Sequence, residues 1–210
     1  GVAFRLLGPH EGAVLTSVIS AVYGDSYDVR WVYDAAEVAA RLADGRYISV
    51  VAESETGELL CHMGLSLATA CDVVAHSGQP VTLPAARGHH VFTRTKLFLM
   101  DWARGEGMRG MYSEVTAAHP YSQLANISVG AHETGFLLGW IPATVANDAA
   151  LDTRRRRRSA AFFYTKLGDG SPRNVYAPER HLPVVTRTLT TCDLHGTPAP
   201  PPADAVLPAR

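Results

Sequence analysis

The stretch E114-V-T-A-A-H119 brings a carboxylate, a hydroxyl and an imidazole close together in the chain. Glu114 and Thr116 stand two residues apart in a strand-like run, so both point to one face. Glu114 can act as a general base if burial raises its pKa; otherwise it is a solvent-facing carboxylate. His119 follows at a turn stiffened by Pro120, a place suited to a base, an acid or a substrate contact, and equally to a surface or capping histidine. Ser122 and Gln123 open the next helical run, Ser122 first of all as an N-cap, and both are candidate substrate contacts. His76, on a separate strand-like run, is a third candidate contact.

A second constellation is P84-A-A-R-G-H-H-V-F92, an Arg-Gly turn directly ahead of an amphipathic segment. The first N–H groups of a helix lack partners and carry about half a positive charge. A diphosphate can be held there without many cationic side chains. Arg87 adds a charge-assisted contact at the lip, and Gly88 lets the backbone come close. His89, His90, Val91 and Phe92 complete the loop. The His90 side chain either crowds a bound diphosphate or donates to it, and Phe92 is expected to pack inward.

Other conspicuous residues carry less. Cys61-His62 are adjacent in a strand, so they face opposite ways and form no dyad; a buried cysteine is the expectation. The three cysteines, Cys61, Cys71 and Cys192, are widely spaced without a CxxC pair, which predicts neither a metal site nor a disulfide framework. The run T153-R-R-R-R-R-S159 puts at most three arginines, Arg154, Arg156 and Arg158, on one stripe of a strand. It is read either as a solvated surface or as a contact for an acidic partner such as an acyl carrier protein, ahead of RNA, for which no stacking platform is evident.

The elements that must position these groups follow from periodicity. Val2–Leu7 alternates as a strand, and Val14, Leu15, Val18, Ile19 and Val22 recur at helical spacing. A second helix covers Ala35–Leu42. Tyr47–Ala52 and Leu59–Leu67 are strands joined through a Thr56-Gly57 turn, and Val73–Val81 is a third, with a bulge expected at Ser77-Gly78. Val91, Thr95, Phe98 and Trp102 predict the helix after the loop. Met108–Val115 is a strand, Ser122–Ala131 a helix, Gly135–Ile141 a strand and Ala160–Leu167 another. This order predicts a mixed α/β sheet with helices on both faces.

That element order, with P84-A-A-R-G88 before the central helix and G135-F-L-L-G139 after the next, resembles the GNAT superfamily of acyl-CoA-dependent N-acetyltransferases over about residues 2–142. The resemblance implies a GNAT-like α/β fold, a central, mostly antiparallel sheet with a splayed parallel pair and helices on both faces. The splayed strands would be about Ala75–Leu83 and Met108–Val115. It implies acetyl-CoA or another acyl-CoA as donor, held by Arg87, Gly88, His89, His90, Val91 and Phe92, and an amine as acceptor. The family pattern asks for small residues where His90 and Phe92 stand. In many relatives the acid for the leaving thiolate is a tyrosine four residues before the Gly-Phe pair, where this chain has Ala131. Glu114, Thr116 and His119 are then the catalytic candidates, with His76, Ser122 and Gln123 toward the acceptor.

The implied activity is transfer of an acetyl or other short acyl group from acyl-CoA, or a carrier thioester, to a small-molecule amine. The rival is a GNAT-shaped protein that does not acetylate, either a ligand- or partner-binding module or an enzyme turned to other chemistry. Residues 1–143 form the expected core, 144–194 a strand-containing extension packed on it, and 195–210 a Pro-rich tail. The 210 residues are 47% hydrophobic and 19% charged with net charge −1, which fits a globular protein and argues against nucleic acid or anionic membrane as partner. No apolar run is long enough to span a bilayer and no signal-peptide pattern opens the chain, so a cytoplasmic location is expected. The chain starts at Gly1, which leaves open a removed N-terminal segment. High Ala, Arg and Pro usage fits a GC-rich bacterial source and specialised metabolism, and a homodimer is an option the sequence does not decide.

Overall fold

The computed structural model describes residues 1–146 and 156–205. Strand β1 (Val2–Leu6) is followed by helices α1 (Gly12–Tyr23) and α2 (Ala35–Ala43), then by the meander β2 (Tyr47–Ser54), β3 (Leu59–Ser66) and β4 (Val74–Thr82). Helix α3 (Val91–Gly105), strand β5 (Gly110–Thr116), helix α4 (Tyr121–Ser128) and strands β6 (His132–Ile141) and β7 (Arg158–Lys166) complete the main sheet. A short ribbon of β8 (Asn174–Tyr176) and β9 (Thr197–Ala199) flanks α5 (Leu182–Thr191). The seven-stranded sheet runs β1-β2-β3-β4-β5-β7-β6, and β4–β5 is its one parallel pair among the described residues.

Alternation along the strands divides the core into two layers. Tyr47 and Val81 project toward α1 and α2, where they pack with Leu15, Val18, Ile19, Val32 and Val38. Val50, Met63, Leu65, Ala75 and Met111 project the other way, onto Leu99, Met100 and Ala103 of α3. Each fully buried side chain of this size contributes about 1.5–3 kcal/mol. Helix α2 starts where it does because Asp34 Oδ1 accepts from the N–H groups of Ala36 and Glu37, at 2.9 and 3.2 Å.

In β3 and β4 the partners are His62↔Val81 and Gly64↔Gly78, so β4 carries one residue more than β3 between those rungs. The extra residue lies at Gln79-Pro80, one step beyond the expected Ser77-Gly78. Gln79 takes a φ of 50°, and Pro80, which has no N–H, falls where the ladder is already broken.

Four elements depart from expectation. The late strand opens at His132 rather than Gly135, because Glu133 and its neighbours extend the ladder on Phe163. Strand β7, from the segment expected to pack on a finished core, lies inside the sheet between β5 and β6. The Pro-rich terminus supplies β9, whose Thr197 N–H donates to the Arg173 carbonyl at 2.9 Å. Helix α5 was hidden because Val184, Val185 and its threonines favour extended structure, although Pro183 in its first turn is a start signal.

Candidate active site

The parallel pairing of β4 and β5 runs through Val74↔Gly110, Ala75↔Met111 and His76↔Tyr112, and ends there. Beyond His76 and Tyr112 the two strands part, each continuing for several residues without the other. This is the splayed pair implied by the resemblance.

A polar pair sits at the fork. His76 Nε2–H donates to Glu114 Oε2 at 2.5 Å, with both side chains mostly buried. The imidazole stacks on Tyr112, and Tyr112 on Phe162, with centroids 5.1 and 5.4 Å apart. Gly78 makes room for the ring, since a Cβ there would come within 2.9 Å of His76 Cε1. Burial pushes the Glu114 carboxyl up, but the hydrogen bond and charge of His76 reverse this and hold it below its ordinary value. The condition for Glu114 to serve as a base, a pKa raised by burial, is therefore not met, and the side chain is not solvent-facing either. Glu114 is thus paired with His76, a residue expected only as a contact.

Two devices behind β4 fix the fork. His62 is fully buried; its Nδ1–H donates to the Gln79 carbonyl at 2.9 Å, and its Nε2 accepts from the Ser49 hydroxyl at 2.7 Å. Burial drops its pKa to about 4, so the ring is neutral. Cys61 faces the other way, beside Thr82, as alternation requires. From the α1 side, the Tyr27 hydroxyl meets the Gln79 backbone; burial and the charges of Tyr23, Asp28 and Glu114 hold it far above a normal phenol. The segment carrying Tyr27 also reaches across the fork, where the Ala146 N–H donates to the Ser26 hydroxyl at 2.9 Å.

The loop ahead of α3 keeps the shape a diphosphate needs. Gly88 and His90 take φ values of 82° and 56°, the left-handed region. His90 is the residue before the helix, and no side chain caps the α3 N-terminus, which has no acidic residue in its first turn. Its leading N–H groups are thus left without a side-chain acceptor. Phe92 packs on the core rather than into the loop. A cavity of about 280 Å³ opens beside it, lined in part by Ala86, His89, Val91 and Arg94. These features fit an acyl-CoA diphosphate.

The remaining predicted residues separate into different roles. The Thr116 hydroxyl accepts from the Ala118 N–H, and the Gln123 amide donates to the carbonyls of Thr116 and His119 at 3.1 and 3.0 Å. Thr116 and Gln123 thus staple the β5–α4 turn. Helix α4 starts at Tyr121 with Pro120 before it, so Ser122 is not its N-cap; its carbonyl accepts from Asn126. His119 is half-buried with Nδ1 unpartnered, and burial together with the Arg158 charge lowers its pKa against a backbone hydrogen bond that raises it. Arg158 turns in and donates to the Val145 carbonyl at 2.6 Å, which removes it from the expected surface stripe; Arg154 lies outside the described residues.

Gly135 and Phe136 lie inside β6, and Phe136 is exposed. The residues leading into that strand are Gly130-Ala131, and four positions before Gly130 is Asn126. Ala131 instead fills an apolar cluster with Val115, Ala161 and Phe163. Asn126 is 2% exposed and bonded to Lys96 Nζ. Sequence reasoning missed both, although Lys96 falls on the buried α3 stripe of Val91, Thr95, Leu99, Met100 and Ala103.

No protein-family model and no curated protein matches the chain. Solved structures do. A mutant spermidine/spermine N-acetyltransferase SpeG from Vibrio cholerae superposes with a TM-score of 0.61 at 14% identity, covering 80% of this chain and 95% of that one. The ribosomal-protein-S18-alanine N-acetyltransferase of Escherichia coli gives 0.61 at 11% identity, covering 81% and 97%. A GNAT superfamily phosphinothricin acetyltransferase from Sinorhizobium meliloti, solved in complex with AcCoA, gives 0.61 at 21% identity, covering 81% and 90%. The chain has the GNAT fold.

Proposed function

We propose that the chain is an N-acyltransferase that moves an acetyl or other short acyl group from acyl-CoA to the amine of a small molecule. The observation that carries this reading is the His76–Glu114 pair, set where two parallel strands part. The fold supports it, since each of the three neighbours is named as an acetyltransferase and one was solved with AcCoA.

In this reading Arg87, Gly88 and the first amides of α3, from Val91 and Phe92, hold the diphosphate, with His89 and His90 at its rim. The acyl-pantetheine arm enters between β4 and β5, where unpaired strand edges offer backbone donors to the thioester oxygen. Acceptor amine arrives from the α1–α2 side, under Tyr27. His76 takes the proton released as nitrogen attacks, and Glu114 holds the ring and stabilises its charged form. No protein nucleophile is required. His119, Thr116, Ser122 and Gln123 shape the exit of β5. Free acyl-CoA suits the loop without a carrier protein.

A thermal-shift titration with acetyl-CoA and longer acyl-CoAs tests the donor. The melting midpoint should rise with ligand concentration, and Arg87→Ala should weaken binding about tenfold. Mass spectrometry over a panel of small amines then identifies acylated product. Binding without any product would point to a sensing module of the same shape, and no shift with any CoA species would end the reading.

A further inference from the structure

The fork between β4 and β5 has a polar group on each side of the sheet, and the reaction above uses one of them. His76, Tyr112 and Glu114 face α1 and α2. Ser113, the first β5 residue past the last rung, faces α3 and α4. Behind it is a buried cluster: Ser113 Oγ–H donates to Asn126 Oδ1 at 3.4 Å, and Lys96 Nζ–H donates to the same oxygen. The Asn126 side-chain N–H is committed to the Ser122 carbonyl at 2.7 Å. Lys96 is 2% exposed.

An ammonium in such a place is expensive. Buried charges are ordinarily paired with an opposite charge, yet among the described residues no carboxylate pairs with Lys96. The group that meets it is the amide of Asn126 on α4, whose oxygen it shares with the Ser113 hydroxyl of β5. Burial alone brings its pKa down to about 8, within reach of proton exchange near neutral pH. Packing alone is served as well by a methionine or leucine, without the cost of a buried charge. This one keeps a cation beside the point where the strands separate.

The geometry points to Lys96 as the proton donor to the leaving thiolate of CoA, on the opposite face of the fork from the His76 base. This inference rests on the acyl-transfer reading. As the amine nitrogen forms its bond to the acyl carbon, its proton passes to His76. The carbon–sulfur bond then breaks with its electron pair on sulfur, and a proton moves from Lys96 Nζ to that sulfur. After release, His76 returns its proton to water and Lys96 regains one. Donor and acceptor of the two protons are separated by strand β5, so neither can neutralise the other.

The test uses bound CoA itself and needs no acceptor. Thiolate absorbance of CoA on the wild-type protein is titrated with pH and compared with Lys96→Met, which preserves the stem's volume. A neighbouring ammonium lowers a thiol pKa by about 1–3, so the wild-type midpoint should fall below that of free CoA and return toward it in the variant. Asn126→Asp, which supplies the ammonium with a carboxylate, should also raise the midpoint. Should Lys96→Met fail to fold, the Asn126→Asp comparison decides alone. Saturable CoA binding with equal midpoints in wild type and variants overturns the role of Lys96 and leaves acyl transfer standing. Failure of the wild type to bind any CoA species overturns both.

Discussion

The His76 imidazole and the Glu114 carboxylate meet at 2.5 Å just past the last rung of the one parallel strand pair among the described residues. Neither residue is near the other in sequence; the parallel register sets His76 beside Tyr112, and Glu114 is the next β5 residue on the same face. Replacing either should separate chemistry from binding. His76→Asn should lower kcat by about 10²–10⁴-fold, the usual worth of a general base, with little change in KM for acyl-CoA. Glu114→Gln should cost less, since the imidazole remains. Steady-state kinetics with both substrates varied would decide, and a loss confined to KM would remove His76 from the chemistry.

Gly78 tests the same pair from beneath. The space a Cβ would need is taken by the His76 ring, so Gly78→Ala should turn the ring away from Glu114. The expected result is lost turnover with near-normal acyl-CoA binding, measured by calorimetry and initial rates on one preparation.

Acid stability should show two separate windows. His62 falls from its ordinary 6.5 to about 4 in the folded chain, so the unfolded chain takes up the proton first. Its contribution is whole above about pH 6.5 and is lost as pH falls toward 4. Glu114 is held below its ordinary 4.5, so its contribution is whole above that value and disappears at lower pH. Melting curves for His62→Leu should be flatter in the upper window, and those for Glu114→Gln in the lower. His62→Leu should also cost about 2–4 kcal/mol at neutral pH, by stranding the Ser49 hydroxyl and the Gln79 carbonyl.

The loop makes a prediction about backbone conformation. His90 is held in the left-handed region, where a side chain costs about 1–2 kcal/mol. His90→Gly should therefore raise stability by up to about 1 kcal/mol after the entropy of a freer unfolded chain is counted. His90→Val, β-branched, should lower it by more. Chemical denaturation of the three proteins provides the comparison.

Much of the fold was legible because its signals are local. Period-two and period-three-to-four patterns mark the elements from β1 to β6, and the Arg-Gly turn marks the loop. The site was less so. Glu114 was visible as a carboxylate on a strand, but its environment depends on His76, and no local rule joins the two. Lys96 stood on the apolar stripe of α3, where a charged residue amid Thr95, Leu99 and Met100 was the available signal. Asn126 was obscured because Gly135-Phe136 marks a strand start at 135, and only the pairing of His132 with Tyr164 settles where the strand begins.

The additional residue at Gln79-Pro80 works as an inverter. Ahead of it, odd-numbered residues of β4 such as Ala75 look toward α3; past it, odd-numbered Val81 looks toward α1. One insertion thereby lets Val81 join the α1–α2 layer although Ala75, of the same parity, packs on α3. Deleting Pro80 would do more than shorten the strand. It would exchange inside for outside in everything downstream, up to the turn that launches the loop.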